Sequence, residues 1–181
     1  KVPFDAKQPI AAFWGSATGY DVNTDNPRIK CALLAKEHPT MLHANLTSWN
    51  PRHKFTRDGE VTFVRPSDFP SLSVGPHNFM TPEQQESYKY IIYLDGQVGA
   101  SRLGFMLLMG SVVLLRRSSA PQPWLYDRLI DWVHVVPIRE DLSDLVAKIQ
   151  WCRNNESKCK LIALNGTMFA REAIQNISLV I

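Results

Sequence analysis

The chain lacks any apolar run long enough to cross a bilayer. Its longest, Leu103 to Leu115, is broken by Gly104 and by Gly110-Ser111. It falls short of the roughly 20 apolar residues that a spanning helix needs, so no membrane span is expected in this chain. Concentrated charge is missing as well. Lys and Arg total 20 against 17 Asp and Glu, a net charge of +3, and the densest basic group is the pair Arg116-Arg117. No basic stripe exists to follow a phosphate backbone, so nucleic acid is not an expected partner. The mild positive balance is compatible with an anionic small molecule. Cysteine is scarce: Cys31, Cys152 and Cys159 make no metal cluster, and His38, His43, His53 and His77 form no HxH or HExxH pattern, so no metal centre is expected. Neither a Walker loop nor a GxGxxG is present, and no Ser-His-Asp or Cys-His arrangement stands out. No signal peptide opens at Lys1, and Lys1-Val2-Pro3 lacks an initiating Met, which suggests a piece of a longer chain.

What is present is the composition of a folded domain, 45% hydrophobic and 20% charged over 181 residues, enough for one sizeable core. Ile10 to Trp14 reads as a short strand, followed by the small-residue turn Gly15-Ser16-Ala17-Thr18-Gly19. Asn26-Pro27 opens a helix as N-cap and first helical residue, and Ile29, Ala32 and Leu33 give it an apolar face through His38. Met41 to Leu46 reads as a strand. Residues 51–80 are charged, Pro-rich and poorly periodic, a loop excursion, closing on the capping box Thr81-Pro82-Glu83-Gln84. Tyr88 to Leu94 is a buried strand, Ala100 to Met109 a helix, Ser111 to Leu115 a strand, Trp124 to Ile130 a helix and Val133 to Ile138 a strand. Asp141-Leu142-Ser143-Asp144 caps a helix carrying Leu142, Leu145, Ile149 and Trp151, and Lys158 to Ile174 is helical. Asn165-Gly166 reads as a helix C-cap. Strand and helix alternate from 88 to 152, which points to parallel βαβ units in a Rossmann-like α/β sheet spanning residues 1–181.

Ligands of such sheets sit at the carboxyl ends of the strands. There the sequence Leu94-Asp95-Gly96-Gln97-Val98-Gly99-Ala100-Ser101-Arg102 ends a strand and begins a helix. Glycines allow close backbone approach, and Arg102 can donate two parallel hydrogen bonds to a diphosphate. Ser16 and Thr18 offer hydroxyls to phosphate or sugar. His134 is expected to be a packed histidine facing away from Val133 and Val135. Cys152 and Cys159 would stand roughly 10 Å apart on one continuous helix and could pair only if the chain turns at Asn154-Asn155; reduced, half-buried thiols are the plainer expectation. Sequons at Asn45, Asn155, Asn165 and Asn176 hint at a secretory compartment.

These segments, in order, resemble glycosyltransferase family 90, which includes protein O-glucosyl- and O-xylosyltransferases, capsule-associated enzymes and relatives in large DNA viruses. The residues that carry the resemblance are Phe13-Trp14-Gly15-Ser16, Tyr88-Lys89-Tyr90, Asp95-Gly96, Ser101-Arg102, Gly110-Ser111, Trp132-Val133-His134-Val135-Val136-Pro137 and Asp141-Leu142-Ser143-Asp144-Leu145. Asn45 to Asn50 and Trp151 to Asn155 look most like the viral branch. The resemblance implies the donor-binding half of a GT-B glycosyltransferase, its N-terminal acceptor domain lying outside this chain. It implies inverting transfer of glucose or xylose from a UDP-sugar to a protein or glycan hydroxyl, with no cofactor and no obligatory metal. Carried over by position, Arg102 holds the diphosphate, Gly15, Ser16 and Thr18 line the donor site, Asp95 and Gly96 shape the turn beside it, and Ser101, at the helix start, counts with them as donor-binding. The compartment would be the cytoplasm of an infected cell for a viral enzyme, or the endoplasmic reticulum or Golgi lumen for a cellular one.

Two departures accompany the resemblance. Trp14 stands where the family has an Arg, which removes a cation unless another Arg compensates, or supplies a ring to stack on base or sugar. The family's catalytic carboxylate lies upstream of this turn, where only Asp5 is found, so the base falls outside the chain. One rival reading is a non-catalytic relative that binds a nucleotide sugar or a partner protein. The other is an unrelated Rossmann-like nucleotide-binding enzyme, against which the missing GxGxxG and ribose-binding acid count.

Overall fold

A computed structural model describes residues 1–19, 26–50, 54–55, 61–62, 65–96, 102–119 and 122–178. Its strands are β1 Gln8–Ala17, β2 Leu42–Trp49, β3 Lys54–Phe55, β4 Val61–Thr62, β5 Tyr88–Tyr93, β6 Val112–Arg116 and β7 Val136–Ile138. Its helices are α1 Pro27–Glu37, α2 Pro82–Gln85, α3 Leu103–Leu108, α4 Leu145–Asn154 and α5 Glu156–Ser178. The main sheet has the order β2-β1-β5-β6-β7 and is parallel at every pairing, with Phe13 opposite Ala44, Ala11 opposite Tyr90, Ile92 opposite Leu114, and Leu114 opposite Val136. β3 and β4 form a separate antiparallel pair.

The period-2 alternation of each strand sorts its side chains onto two buried faces. Phe13, Tyr90, Ile92, Leu114 and Ile138 pack with Ile29 and Ala32 of α1, Ile149 of α4 and Ile162 of α5. Trp14, Ile91, Tyr93, Val113 and Leu115 pack with Leu103, Met106 and Leu107 of α3 and with Ala170 and Ala173 of α5. Parallel strands covered on both faces carry almost no polar side chains, and β5 and β6 are buried from end to end.

Local chemistry sets the boundaries. Asn26 accepts from the backbone N–H groups of Arg28 and Ile29 at 3.0 and 3.2 Å, and Pro27 follows at the first helical position, so two orphan donors of α1 are satisfied by its cap. Thr81 and Gln84 close the reciprocal capping box of α2. In the segment after β2, Phe69 is buried against Trp49 with ring centroids 6.0 Å apart, and Asn78 donates to Leu46 O at 3.1 Å.

Several expected boundaries move. The helix expected over 124–130 is only a 3₁₀ turn, Tyr126–Arg128, because side chains take up the local backbone groups. The Tyr126 hydroxyl accepts from Ser118 N–H and donates to Arg116 O, and Ile130 N–H donates to His134 Nδ1. The strand expected from Val133 begins at Val136; Trp132 turns at φ 63° instead. His134 therefore sits in a turn, stacked on Phe169 at 4.6 Å, and burial lowers its pKa. Asp141 and Asp144 organise the turn before α4 rather than capping it: they accept from Ser143 N–H and Arg139 N–H at 2.9 and 2.8 Å. Leu142 precedes the helix, buried at φ 59°.

Asn165-Gly166 is not a helix end but lies inside α5. A Cβ on Gly166 would stand 2.6 Å from His134 O and 3.1 Å from Leu107 Cδ2, so the glycine serves close packing of helix on turn. Gly166→Ala should gain the ~1 kcal/mol of helix propensity and lose more to overpacking against a backbone carbonyl, typically ~1–3 kcal/mol. Thermal unfolding should show a lower Tm; an unchanged or higher one would refute this reading of the contact.

Candidate functional site

The chain runs from β1 outward to β2, then returns to the other side of β1 as β5. Between the carboxyl ends of β1 and β5 lies the topological switch point, where open α/β sheets leave a crevice. Gly15-Ser16 and Leu94-Asp95-Gly96 are the two lips of that crevice.

Arg28, at the start of α1, reaches across it. Its Nη1 donates to Ser16 O at 2.9 Å, its Nη2 to Leu94 O at 3.0 Å and its Nε to Asp95 O at 3.0 Å. Arg102, at the N-cap position of α3, approaches from the other side, its Nη1 donating to Trp14 O at 2.6 Å. The Phe13 ring lies under both guanidinium groups, at 5.8 and 5.5 Å, a stacking contact that suits weakly hydrated guanidinium. The glycines make room. A Cβ on Gly15 would meet Arg102 Nη2 at 3.2 Å and Arg28 Nη1 at 3.6 Å, and one on Gly96 would meet Thr18 Oγ1 at 2.6 Å and Arg28 Nη2 at 3.1 Å.

The electrostatics are unbalanced toward positive charge. Burial first, then the neighbouring Arg102, lower the Arg28 pKa to about 10, with Asp95 partly opposing; burial also lowers that of Arg102. The Arg28 shift registers the cost of holding a cation out of water beside a second one. The nearest carboxylate relieves Arg28 only in part. Asp95 pairs with Arg116 at 2.5 Å, its other oxygen accepts from Ser118 Oγ at 2.8 Å, and Arg116 is further held by Glu140 O at 2.7 Å. Carbonyl dipoles satisfy the hydrogen bonds of Arg28 and Arg102 without cancelling their charge. Among the described residues neither arginine forms an ion pair, and an anion bound between them would remove the repulsion.

Of the residues singled out from sequence, Gly15, Ser16, Thr18, Asp95, Gly96 and Arg102 gather at this crevice; Ser101 and the expected helix start at Ala100 lie outside the described residues. The Ser16 hydroxyl is held by Ser48, which donates to it at 2.8 Å. Trp14 is corrected as a stacking platform. Its side chain is buried on the opposite face of the sheet, 5.2 Å from Tyr88, and cannot reach a ligand in the crevice. Sequence reasoning missed Arg28 and Arg116. Arg28 had a signal, since Asn26-Pro27 fixed a helix start directly after the small-residue turn. Arg116 had none, because its role depends on a strand register. Among the described residues no group of three His, Cys, Asp or Glu stands ready to hold a metal.

The domain is a parallel α/β sheet with two arginines at its switch point. Its likeness to a solved structure is one of fold alone: TarM, a GT-B glycosyltransferase, matches 92% of this chain and 32% of its own at a TM-score of 0.58 and 11% identity. The chain belongs to glycosyl transferase family 90, whose model matches residues 1–179. It is 39% identical over 163 residues to protein 035R of Invertebrate iridescent virus 3, covering 89% of this chain and 14% of that one. It is 46% identical over 84 residues to protein O-glucosyltransferase 2 of Danio rerio, covering 46% of this chain and 17% of the relative. To human protein O-glucosyltransferase 3 it is 30% identical over 148 residues, covering 82% and 26%. The chain thus spans between about a seventh and a quarter of these relatives.

Three substitutions test the site's construction. Asp95→Ala leaves buried Arg116 only the more distant Glu140 carboxylate, 3.7 Å away, and should cost ~3–5 kcal/mol of unfolding free energy, whereas Glu140→Ala, at the half-exposed edge of the same network, should cost under ~1 kcal/mol. Equal losses in denaturant titrations would show that the pair is not the anchor. Trp14→Arg should reduce stability by at least ~3 kcal/mol, from the lost ring and a buried unpaired charge. A variant that folds normally and binds donor more tightly would overturn the placement of Trp14.

Proposed function

We propose that this chain is the donor-binding half of an inverting glycosyltransferase that moves glucose or xylose from a UDP-sugar to an acceptor hydroxyl. The observation that carries the reading is the pair of arginines, Arg28 buried and Arg102 partly buried, that converge on the crevice between β1 and β5 with no ion pair among the described residues. An acceptor oxygen attacks the anomeric carbon, the bond to the diphosphate breaks, and negative charge grows on the departing phosphate oxygens. Fixed cations stabilise that charge where it develops, without reorganisation at the moment of reaction. The forked guanidinium groups match phosphate geometry, and with two of them the site calls for no metal ion. Gly15 and Gly96 let the diphosphate approach the backbone, and Thr18 offers a hydroxyl beside Gly96.

Asp95 does not serve as the base. Its two oxygens are committed to Arg116 and Ser118, so the acceptor proton goes to a group from outside this crevice. The vertebrate relatives are named protein O-glucosyltransferases, which favours glucose as the sugar and a protein as the acceptor. The committed state of Asp95 also favours a second reading, a relative that binds the nucleotide sugar without catalysis. Both readings need the cradle; only the first predicts turnover with an acceptor.

Calorimetric titration with UDP, UDP-glucose and UDP-xylose, with and without a chelator, tests the cradle. Arg28→Ala and Arg102→Ala should each weaken UDP binding by about 10- to 150-fold, the worth of one charged hydrogen-bonding group at ~1.5–3 kcal/mol. Chelation should leave affinity unchanged. Binding that survives either substitution intact, or that vanishes with the metal, would refute the assignment.

A further inference from the structure

In parallel α/β units the helix that follows a strand commonly seats an anion on its free N-terminal N–H groups. The first turn of α1, which follows β1, has its N–H groups already taken. Pro27 carries none. Asn26 Oδ1 accepts from Arg28 N–H at 3.0 Å and from Ile29 N–H at 3.2 Å, and Lys30 N–H donates to Asn26 O at 2.9 Å. The Asn26 side chain is buried and its amide is used at both ends, because Nδ2 donates to Thr18 O at 3.3 Å. Gly19, at φ 148°, makes room for that amide: a Cβ there would stand 2.9 Å from Asn26 Nδ2. The contact ties the turn after β1 to the helix that carries Arg28. The same turn reaches the opposite lip of the crevice, where a Cβ on Gly96 would meet Thr18 Oγ1 at 2.6 Å.

We propose that Asn26 is a positioning residue for the donor diphosphate. It fills the N-terminus of α1 in place of a phosphate oxygen and couples the Thr18 turn to Arg28, so the anion is gripped by the two guanidinium groups. The inference rests on the donor-binding reading above. Two properties of an amide are needed together. Its oxygen caps the helix, and its NH₂ group holds Thr18 O, which a carboxylate has no hydrogen to do. Aspartate caps a helix as well as asparagine does. Here it would turn an oxygen toward Thr18 O and set a negative charge at the foot of the helix that carries Arg28. Serine also caps equally well, but its side chain is one bond shorter and gives up the tie to Thr18 without adding charge. Glycine is a fair cap and would free the N–H groups of Arg28 and Ile29. The three replacements therefore keep the helix start while changing the tie, the charge and the open N–H groups separately.

The test measures binding of UDP and of inorganic pyrophosphate by calorimetry, with thermal unfolding of the same samples, for the 181-residue chain and its Asn26→Ser, Asn26→Asp and Asn26→Gly variants. Asn26→Ser should weaken both ligands by about 2- to 10-fold, the worth of one neutral hydrogen bond. Asn26→Asp should weaken them by a further factor of about 10, since its charge opposes the anion in a partly dry site. Both should keep a Tm within about 3 °C of the unsubstituted chain. Asn26→Gly should bind more weakly as well. Equal affinities for the serine and aspartate variants, whatever their Tm, would reduce Asn26 to a helix cap and overturn the proposal. Tighter binding by Asn26→Gly would also overturn it, by making the freed N–H groups the better seat for phosphate. Arg28→Ala and Arg102→Ala keep the two readings apart. If they abolish binding while all three Asn26 variants bind as the unsubstituted chain does, the cradle stands and Asn26 has no part in it. If the unsubstituted chain binds neither UDP nor pyrophosphate, the donor-binding reading fails and this inference fails with it.

Discussion

Everything at the functional edge of this domain depends on how one guanidinium group joins two strand ends. A parallel sheet leaves carbonyl oxygens unpaired where its strands stop, and buried carbonyls need donors. Arg28 supplies three, two to the end of β5 and one to the end of β1. It thereby fixes the width of the crevice between them. The interaction satisfies hydrogen bonds but leaves the charge in place, and this distinction makes the joint useful. A lysine would bring a compact, more strongly hydrated charge without the planar fork that spans separate carbonyls. A carboxylate beside Arg28 would neutralise it and close the site to anions.

The ion pair between Asp95 and Arg116 follows from the same constraint. Asp95 lies on the lip of the crevice, next to the carbonyl that Arg28 contacts. Left free, it would be the natural partner of Arg28. Arg116, from the neighbouring strand β6, holds it at 2.5 Å, and Ser118 takes its other oxygen. The carboxylate thus anchors the turn while the crevice stays positive. Close approach at Gly15 and Gly96 depends on the same economy of space, because a side chain at either position would push into the guanidinium groups.

The fold was largely legible from pattern alone. Alternating apolar strands and capped helices from β5 onward announced a parallel α/β sheet, and Asn26-Pro27 and Thr81 to Gln84 marked helix starts that the structure keeps. Failures clustered where tertiary contacts override local signals. Asn165-Gly166 looks like a helix end because glycine usually is one, but here it answers the backbone of His134. The stretch 124–130 looks helical in sequence, yet Arg117 donates to Leu129 O and Ile130 N–H donates to His134 Nδ1. At the site, residues adjacent to glycine turns were legible because turn chemistry is local. Arg116 was not, because only the pairing of β5 with β6 brings it to Asp95.

The substitution of tryptophan for the family's arginine at position 14 looked from sequence like the loss of a phosphate-binding cation. The register of β1 gives a different account. Successive residues of a strand point to opposite faces, and Phe13, not Trp14, faces the guanidinium groups. Trp14 joins the core on the other side, against Tyr88, and only its carbonyl turns toward the crevice, where Arg102 takes it. An arginine side chain following the same path would enter that apolar face rather than the cradle. The cationic character of the crevice therefore rests on Arg28 and Arg102, one from each helix that follows a lip-forming strand, and the tryptophan contributes packing behind them. Trp14 packs behind the strand end that the arginines contact, so the departure from the family pattern leaves both guanidinium groups in place.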